Sequence, residues 1–160
     1  MKRFEIVSVW HLAAPREVIW QELRAVEDWP RWWSSVARVQ TLAEGDGNGV
    51  GARHAIDWRS HAPYLVRLRT QTVSITPQRE IVVRTTGDLD GEGIWRLDAT
   101  DAGTQVTYIW RVLRFDRRWM RALSPLLRPF FAWNHRAVMA LGARGLARHL
   151  ASAGTCAAAG

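Results

Sequence analysis

Apolar and polar residues alternate, then recur in threes and fours, then alternate again, and those changes of period divide the chain. Phe4–Leu12 is rich in β-branched and aromatic residues and predicts a strand. It stops at Ala13-Ala14-Pro15, and proline is tolerated at a helix start. Val18, Ile19, Leu23 and Val26 then recur near helical spacing and predict a first helix of about three turns. Asp28-Trp29-Pro30 repeats that entry and predicts a second, short helix whose Trp32, Trp33 and Val36 turn inward. From Ala37 the period becomes two. Strands are predicted over Ala37–Leu42, Val50–Ser60, Tyr64–Thr76, Glu80–Asp88, Ile94–Ala99 and Thr104–Phe115.

The connections between those six strands are short and carry turn residues, Asp90-Gly91-Glu92-Gly93 and Asp101-Ala102-Gly103 among them. Loops this short join antiparallel neighbours, so the strands form a meander. Asp116–Leu123 reads as a transitional segment. Pro125 and Pro129 mark the entry to a long helix, Pro129–Ala151, with Phe131, His135, Val138, Gly142, Leu146 and Leu150 on one stripe. Residues 1–151 therefore form a single domain and 152–160 a flexible tail. A curved antiparallel sheet of seven strands needs a cover for its concave face, and the last helix is the only element long enough. The expected fold is α+β, with two short helices and a long C-terminal helix over a cavity.

Composition sharpens this. Ten of 160 residues are tryptophan, more than a small core ordinarily uses, because each ring carries an N–H that wants a partner. The lone cysteine, Cys156, gives no disulfide framework and no thiolate metal site. No window approaches the ~20 apolar residues of a spanning helix, and Met1–Phe4 leads into the first strand without the apolar stretch of a signal peptide. A cytoplasmic location is the expectation. The net charge of +7 comes almost wholly from arginine, Lys2 being the only lysine. Within Arg111–Arg128, six arginines would create a positive field suited to an anionic membrane or an acidic partner. Trp119 lies among them. No nucleic-acid motif accompanies the charge.

Several stretches carry a resemblance. They are Ala13-Ala14-Pro15 with Val18-Ile19-Trp20, Asp28-Trp29-Pro30-Arg31-Trp32, Gly49-Val50-Gly51-Ala52, Ile94-Trp95-Arg96-Leu97 and Gly103-Thr104-Gln105-Val106-Thr107-Tyr108. In these the chain resembles the SRPBCC, or START-like helix-grip, superfamily over roughly residues 4–150. Polyketide cyclases/dehydrases, the birch-pollen-allergen proteins and lipid-transfer START domains belong to that superfamily. The chain resembles polyketide-cyclase-like members in its Ala-Pro start and in its Trp-x-Leu and Gly-Thr-x-Val-x-Tyr hairpin. The likeness implies the helix-grip fold; such folds host different chemistries.

Strand alternation assigns faces to the cavity. Tyr64, Val66, Leu68, Thr70 and Thr72 share one, as do His54, Ile56 and Trp58, Trp95 and Leu97, and Val106, Tyr108, Trp110 and Val112. With Phe131, Asn134 and Val138 from the helix, these form an apolar pocket with a few polar anchors. The plainer alternative is ordinary core with each polar tip satisfied internally. His54 and His135 are the acid–base candidates, with Tyr108 as a third proton-relay group. Asp57 falls on the opposite face from His54, so no His–Asp pair forms there. Gly45–Gly51 lacks the Lys-Ser/Thr ending of a phosphate loop and the spaced carboxylates of a calcium loop, and reads as a mobile loop at the cavity mouth.

Two functional readings stand. One is binding of a hydrophobic, aromatic or polycyclic small molecule, with polyketide cyclase/dehydrase-like chemistry and no metal or organic cofactor. The other is a non-catalytic lipid or quinone carrier whose Arg111–Arg128 segment touches a membrane or an acidic partner.

Overall fold

The structure, a computed structural model, describes residues 4–61, 63–115 and 118–158, with side chains described for 4–61, 63–113 and 128–154. The strands are β1 (Phe4–Leu12), β2 (Val36–Ala43), β3 (Arg53–Trp58), β4 (Val66–Thr76), β5 (Glu80–Gly87), β6 (Leu89–Thr100) and β7 (Gly103–Phe115). They form one antiparallel sheet in the order β1-β7-β6-β5-β4-β3-β2. Between β1 and β2 lie α1 (Arg16–Arg24), a 3₁₀ turn (Val26–Asp28) and α2 (Trp29–Trp32), and the chain ends in α3 (Arg118–Ala158). This is the order of elements that the periods predict and the helix-grip arrangement that the resemblance implies. Phe4 of β1 and Ile56 of β3 border the same hollow although four strands separate theirs. At about 4.8 Å per strand a flat sheet would hold them far apart, so the sheet curls.

Val36, expected in the second helix, opens β2, and the expected strands Val50–Ser60 and Tyr64–Thr76 shorten to β3 and β4; three further differences have a physical reason. Asp90–Gly93 is not a turn but the start of β6. A Cβ on Gly93 would lie 2.6 Å from the Tyr108 hydroxyl, and one on Gly91 would lie 3.1 Å from the Trp110 ring. These glycines let two large rings lie against the backbone, a use of strand glycine that mimics turn chemistry in sequence. The second difference is in α3, which runs beyond Pro129–Ala151 at both ends, taking in Pro125 and most of the expected tail 152–160. Leu, Ala, Arg and Met, good helix formers, dominate 118–128, and the helix runs through both Pro125 and Pro129 although each removes a backbone hydrogen bond. The third is a bulge in β4. Thr72 pairs with Val83 and Ser74 with Val82, leaving Val73 extra, so the inward phase shifts and both Thr72 and Ile75 face the hollow.

The Gly45–Gly51 loop is stapled. The Asp46 Oδ1 accepts hydrogen bonds from the backbone N–H groups of Asn48 (2.9 Å) and Val50 (3.0 Å). Asp46 N–H and Val50 C=O close the turn at 2.8 Å.

Six tryptophans interlock where α2 meets the sheet. Trp33, fully buried, packs edge-on against Trp58 (5.0 Å, 82°) and Trp10 (5.4 Å, 72°) and stacks on Trp32 (5.5 Å, 17°). Trp29 and Trp95 complete the set. Such ring pairs contribute about 0.5–1.5 kcal/mol each beyond the area they bury. Trp33 Nε1 donates to the Val138 carbonyl of α3 at 2.9 Å. Cβ atoms on Gly142 or Gly145 would collide with the Trp33 ring or the Trp32 carbonyl, so α3 crosses α2 at these two glycines. That crossing fixes how far α3 stands off the sheet, and the unfilled remainder is the cavity.

Candidate functional site

The cavity between α3 and the concave face encloses about 350 Å³, within the ~300–1,000 Å³ of small-molecule sites. Strands supply most of the wall. His54 and Trp58 of β3, Val66, Leu68 and Thr70 of β4, and Tyr64 just before it all border the hollow. So do Trp95 of β6, Tyr108 and Trp110 of β7, and Phe131, Asn134, His135 and Val138 of α3. Leu97 and Val106 do not. They face each other across β6 and β7, each 1% exposed within the main core, where α1 packs on those two strands. They lie on the expected face, but at the end of the sheet that α1 fills.

The deep aromatic end is electrically quiet. Tyr108 lies 4.2 Å from Trp95 and is nearly parallel to His135, at 5.8 Å and 11°. Burial pushes the Tyr108 phenol well above its ordinary value. Burial, helped by the Arg136 cation, lowers the His135 imidazole from 6.5 to about 4. Both groups are therefore neutral near pH 7. Ring nitrogen Nδ1 of His135 is sealed without a partner, as is Trp58 Nε1. The Tyr108 hydroxyl makes no hydrogen bond with a described residue.

The other end is polar. His54 Nε2 lies 3.2 Å from Glu27 Oε1. Thr41 Oγ1, directly across the β2–β3 ladder from His54, donates to the same oxygen at 2.6 Å. Burial works to raise the Glu27 carboxyl, but the hydrogen bonds from Thr41, its own backbone N–H and His54 outweigh it and hold the group below 4.5. Sequence reasoning missed Glu27 because it reaches His54 from the 3₁₀ turn, with no fixed spacing between them. The ladder register, set by the β2–β3 connection, was the only local signal that would have put Thr41 beside His54. Trp29 and Trp33, which belong to the short second helix and its end, also border the hollow.

At the mouth, the Asn134 Oδ1 accepts hydrogen bonds from the His61 backbone N–H (2.9 Å) and from its ring Nδ1 (3.1 Å). The His61 ring lies 4.5 Å from Trp133. Phe130 and Trp133 are exposed there. Of the basic segment, Arg111 is held by Glu5 (2.8 Å) and Glu92 (3.1 Å). The side chains of Arg114, Arg117, Arg118, Arg121 and Trp119 lie outside the described residues. Among the described residues no three imidazole, thiol or carboxylate groups converge to hold a metal ion, and no helix is long and apolar enough to cross a membrane.

Comparison places this architecture among known ones. A protein of Thermus thermophilus superposes with a TM-score of 0.70 at 17% identity, over 91% of this chain and 99% of that one. The Zhui aromatase/cyclase of Streptomyces sp. R1128 gives 0.59 at 18% identity, over 88% and 93%. Major latex-like protein 151 of Panax ginseng gives 0.69 at 9% identity, over 92% and 97%. At such identities the likeness is one of fold. No curated protein sequence matches the chain. Residues 3–151 match the sequence pattern of the family described as polyketide cyclase / dehydrase and lipid transport. With nearly its whole length matched, this chain belongs to that family.

Proposed function

We propose that the cavity binds a hydrophobic, aromatic or polycyclic small molecule. The observation that carries this reading is the wall itself. Five tryptophans and Tyr108 border one hollow of about 350 Å³ whose deep groups are uncharged. Flat rings recover offset and edge-on contacts there, while Tyr108 and Thr70 offer neutral hydrogen-bonding groups that orient a carbonyl or hydroxyl. The chemistry proposed for the bound molecule is of the polyketide cyclase/dehydrase type, with His54 moving protons and the neutral Tyr108 and His135 holding theirs. The Zhui aromatase/cyclase supports this by its fold.

Titration with 1-aminoanthracene, a neutral tricyclic fluorophore, tests the binding step. Quenching of the cavity tryptophans with saturable binding is expected. Leu68→Trp, which fills the middle of the hollow, should weaken binding at least about tenfold, or about 1.4 kcal/mol, while leaving the fold intact. Equal binding by the variant would place the probe elsewhere and sink the proposal.

A second reading rests on the exposed Phe130 and Trp133 at the mouth, beside Arg128. In it the protein is a non-catalytic lipid or quinone carrier that loads at an anionic membrane. Vesicle sedimentation across a salt series tests it. Binding to phosphatidylserine vesicles that Phe130→Ser/Trp133→Ser leaves unchanged would dismiss that surface.

A further inference from the structure

The polar end of the cavity holds a more specific arrangement than an anchor. We infer that Glu27, backed by Thr41, is a positioning residue that makes His54 the proton acceptor for an acidic hydroxyl, a phenol or enol, on the molecule bound in the cavity. The inference rests on the reading of this hollow as an aromatic-ligand site.

Four observations carry it. The His54 side chain borders the cavity and is only 9% exposed, so little bulk water reaches it. Its Nε2 is engaged by Glu27 Oε1. In the neutral ring that contact requires the proton on Nε2, which leaves Nδ1 as the basic atom. Unlike Nδ1 of His135, that atom is not among the sealed polar atoms, and no described residue hydrogen-bonds to it. Finally, Thr41 can donate its hydroxyl proton only to an acceptor, and at 2.6 Å it does so to Glu27. The carboxylate is thereby kept ionised and aimed at the ring.

The step is a simple transfer. The ligand O–H bond breaks, an N–H bond forms at His54 Nδ1, and the electron pair stays on the ligand oxygen. The imidazolium that results sits beside the Glu27 carboxylate, which stabilises it as a carboxylate orients and stabilises a histidine base elsewhere. Other charged groups bordering this end are Arg24 of α1 and Glu44 of the β2–β3 connection. Arg24 donates to the Asn48 carbonyl at 3.0 Å. His135 cannot substitute: its ring is lowered to about 4 and its Nδ1 is enclosed.

The test uses 7-hydroxycoumarin, whose phenol and phenolate absorb at different wavelengths, and its methyl ether 7-methoxycoumarin, which has no proton to give. With the full chain, the ionisation midpoint of bound 7-hydroxycoumarin should fall at least about one pH unit below that of the free dye, a tenfold shift of the equilibrium toward phenolate. Glu27→Gln should return it to near the free value, and Thr41→Val should leave it between the two. His54→Phe should abolish the difference. Glu27→Gln and Thr41→Val, which alter groups behind the His54 ring, should still bind 7-methoxycoumarin, showing that the fold and cavity survive. An unchanged midpoint in Glu27→Gln, with 7-methoxycoumarin still bound, overturns the inference alone. Failure of the parent to bind 7-methoxycoumarin overturns the cavity reading and this inference with it.

Discussion

Replacing His135 with phenylalanine should flatten the fall in stability of this protein on acidification. The unfolded chain takes up a proton on His135 near pH 6.5, the folded protein only near about 4. Between those values the unfolded state binds more protons, so stability is intact above the window and drops as pH falls through it. At about 1.4 kcal/mol per pH unit, the gap from 6.5 to about 4 comes to about 3 kcal/mol at its limit. Near pH 4.5 most of that, about 2.5 kcal/mol, is already lost. Phenylalanine keeps a ring beside Tyr108, which His135 approaches to 5.8 Å at 11°, but carries no titrating group. Urea unfolding followed by tryptophan fluorescence at pH 7.5 and 4.5, on both proteins, isolates the contribution. Carboxylates such as Glu27 titrate in both and cancel. If the parent and His135→Phe lose stability in parallel, to within about 0.5 kcal/mol, water reaches the imidazole freely and the burial argument is wrong.

The α2–α3 crossing should be intolerant of one methyl group. Gly145→Ala should lower stability by about 1–3 kcal/mol in denaturant melts, whereas Gly154→Ala, with nothing within 4 Å, should be neutral or gain up to about 1 kcal/mol. Equal effects would mean the helices do not touch there. Gly93→Ala should drive the Tyr108 ring off β6 and into the cavity, since the new Cβ would lie 2.6 Å from its hydroxyl. Weaker 1-aminoanthracene binding with little change in melting is expected, and unchanged affinity would count against the ring's placement. Asn134→Ala should speed amide hydrogen exchange at His61, whose N–H it accepts at 2.9 Å. Unaltered exchange would show that the bond does not hold the β3–β4 loop.

The order of elements was legible because the hydrophobic period changes cleanly, from helical in Val18–Val26 to alternating in Arg53–Trp58 and Val66–Thr72. Alternation also assigned His54, Trp58, Tyr108 and Trp110 to the concave face, where they lie. It could not say how far along each strand the hollow extends. Leu97 and Trp95 share a face, and only the placement of α1 decides that one is core and the other wall. Nor could it find a pair made across elements. Glu27 and His54 meet because a 3₁₀ turn and a hairpin converge, a consequence of tertiary packing that no local spacing encodes.

The glycines explain why a chain with so many large rings has a hollow at all. Ten tryptophans would be expected to fill a 160-residue interior. At the α2 end they do, because Trp33 is surrounded by five of its own kind. Toward β6 the rings are drawn aside instead. Gly91 and Gly93 offer no Cβ, so Trp110 and Tyr108 lie over the strand backbone rather than standing into the space below α3. At the same time Gly142 and Gly145 seat α3 on α2 at backbone distance, and the Trp33 ring ties it there through the Val138 carbonyl. One pair of glycines thus flattens the cavity floor and the other fixes its roof. The residues that create the binding space are those with no side chain to line it.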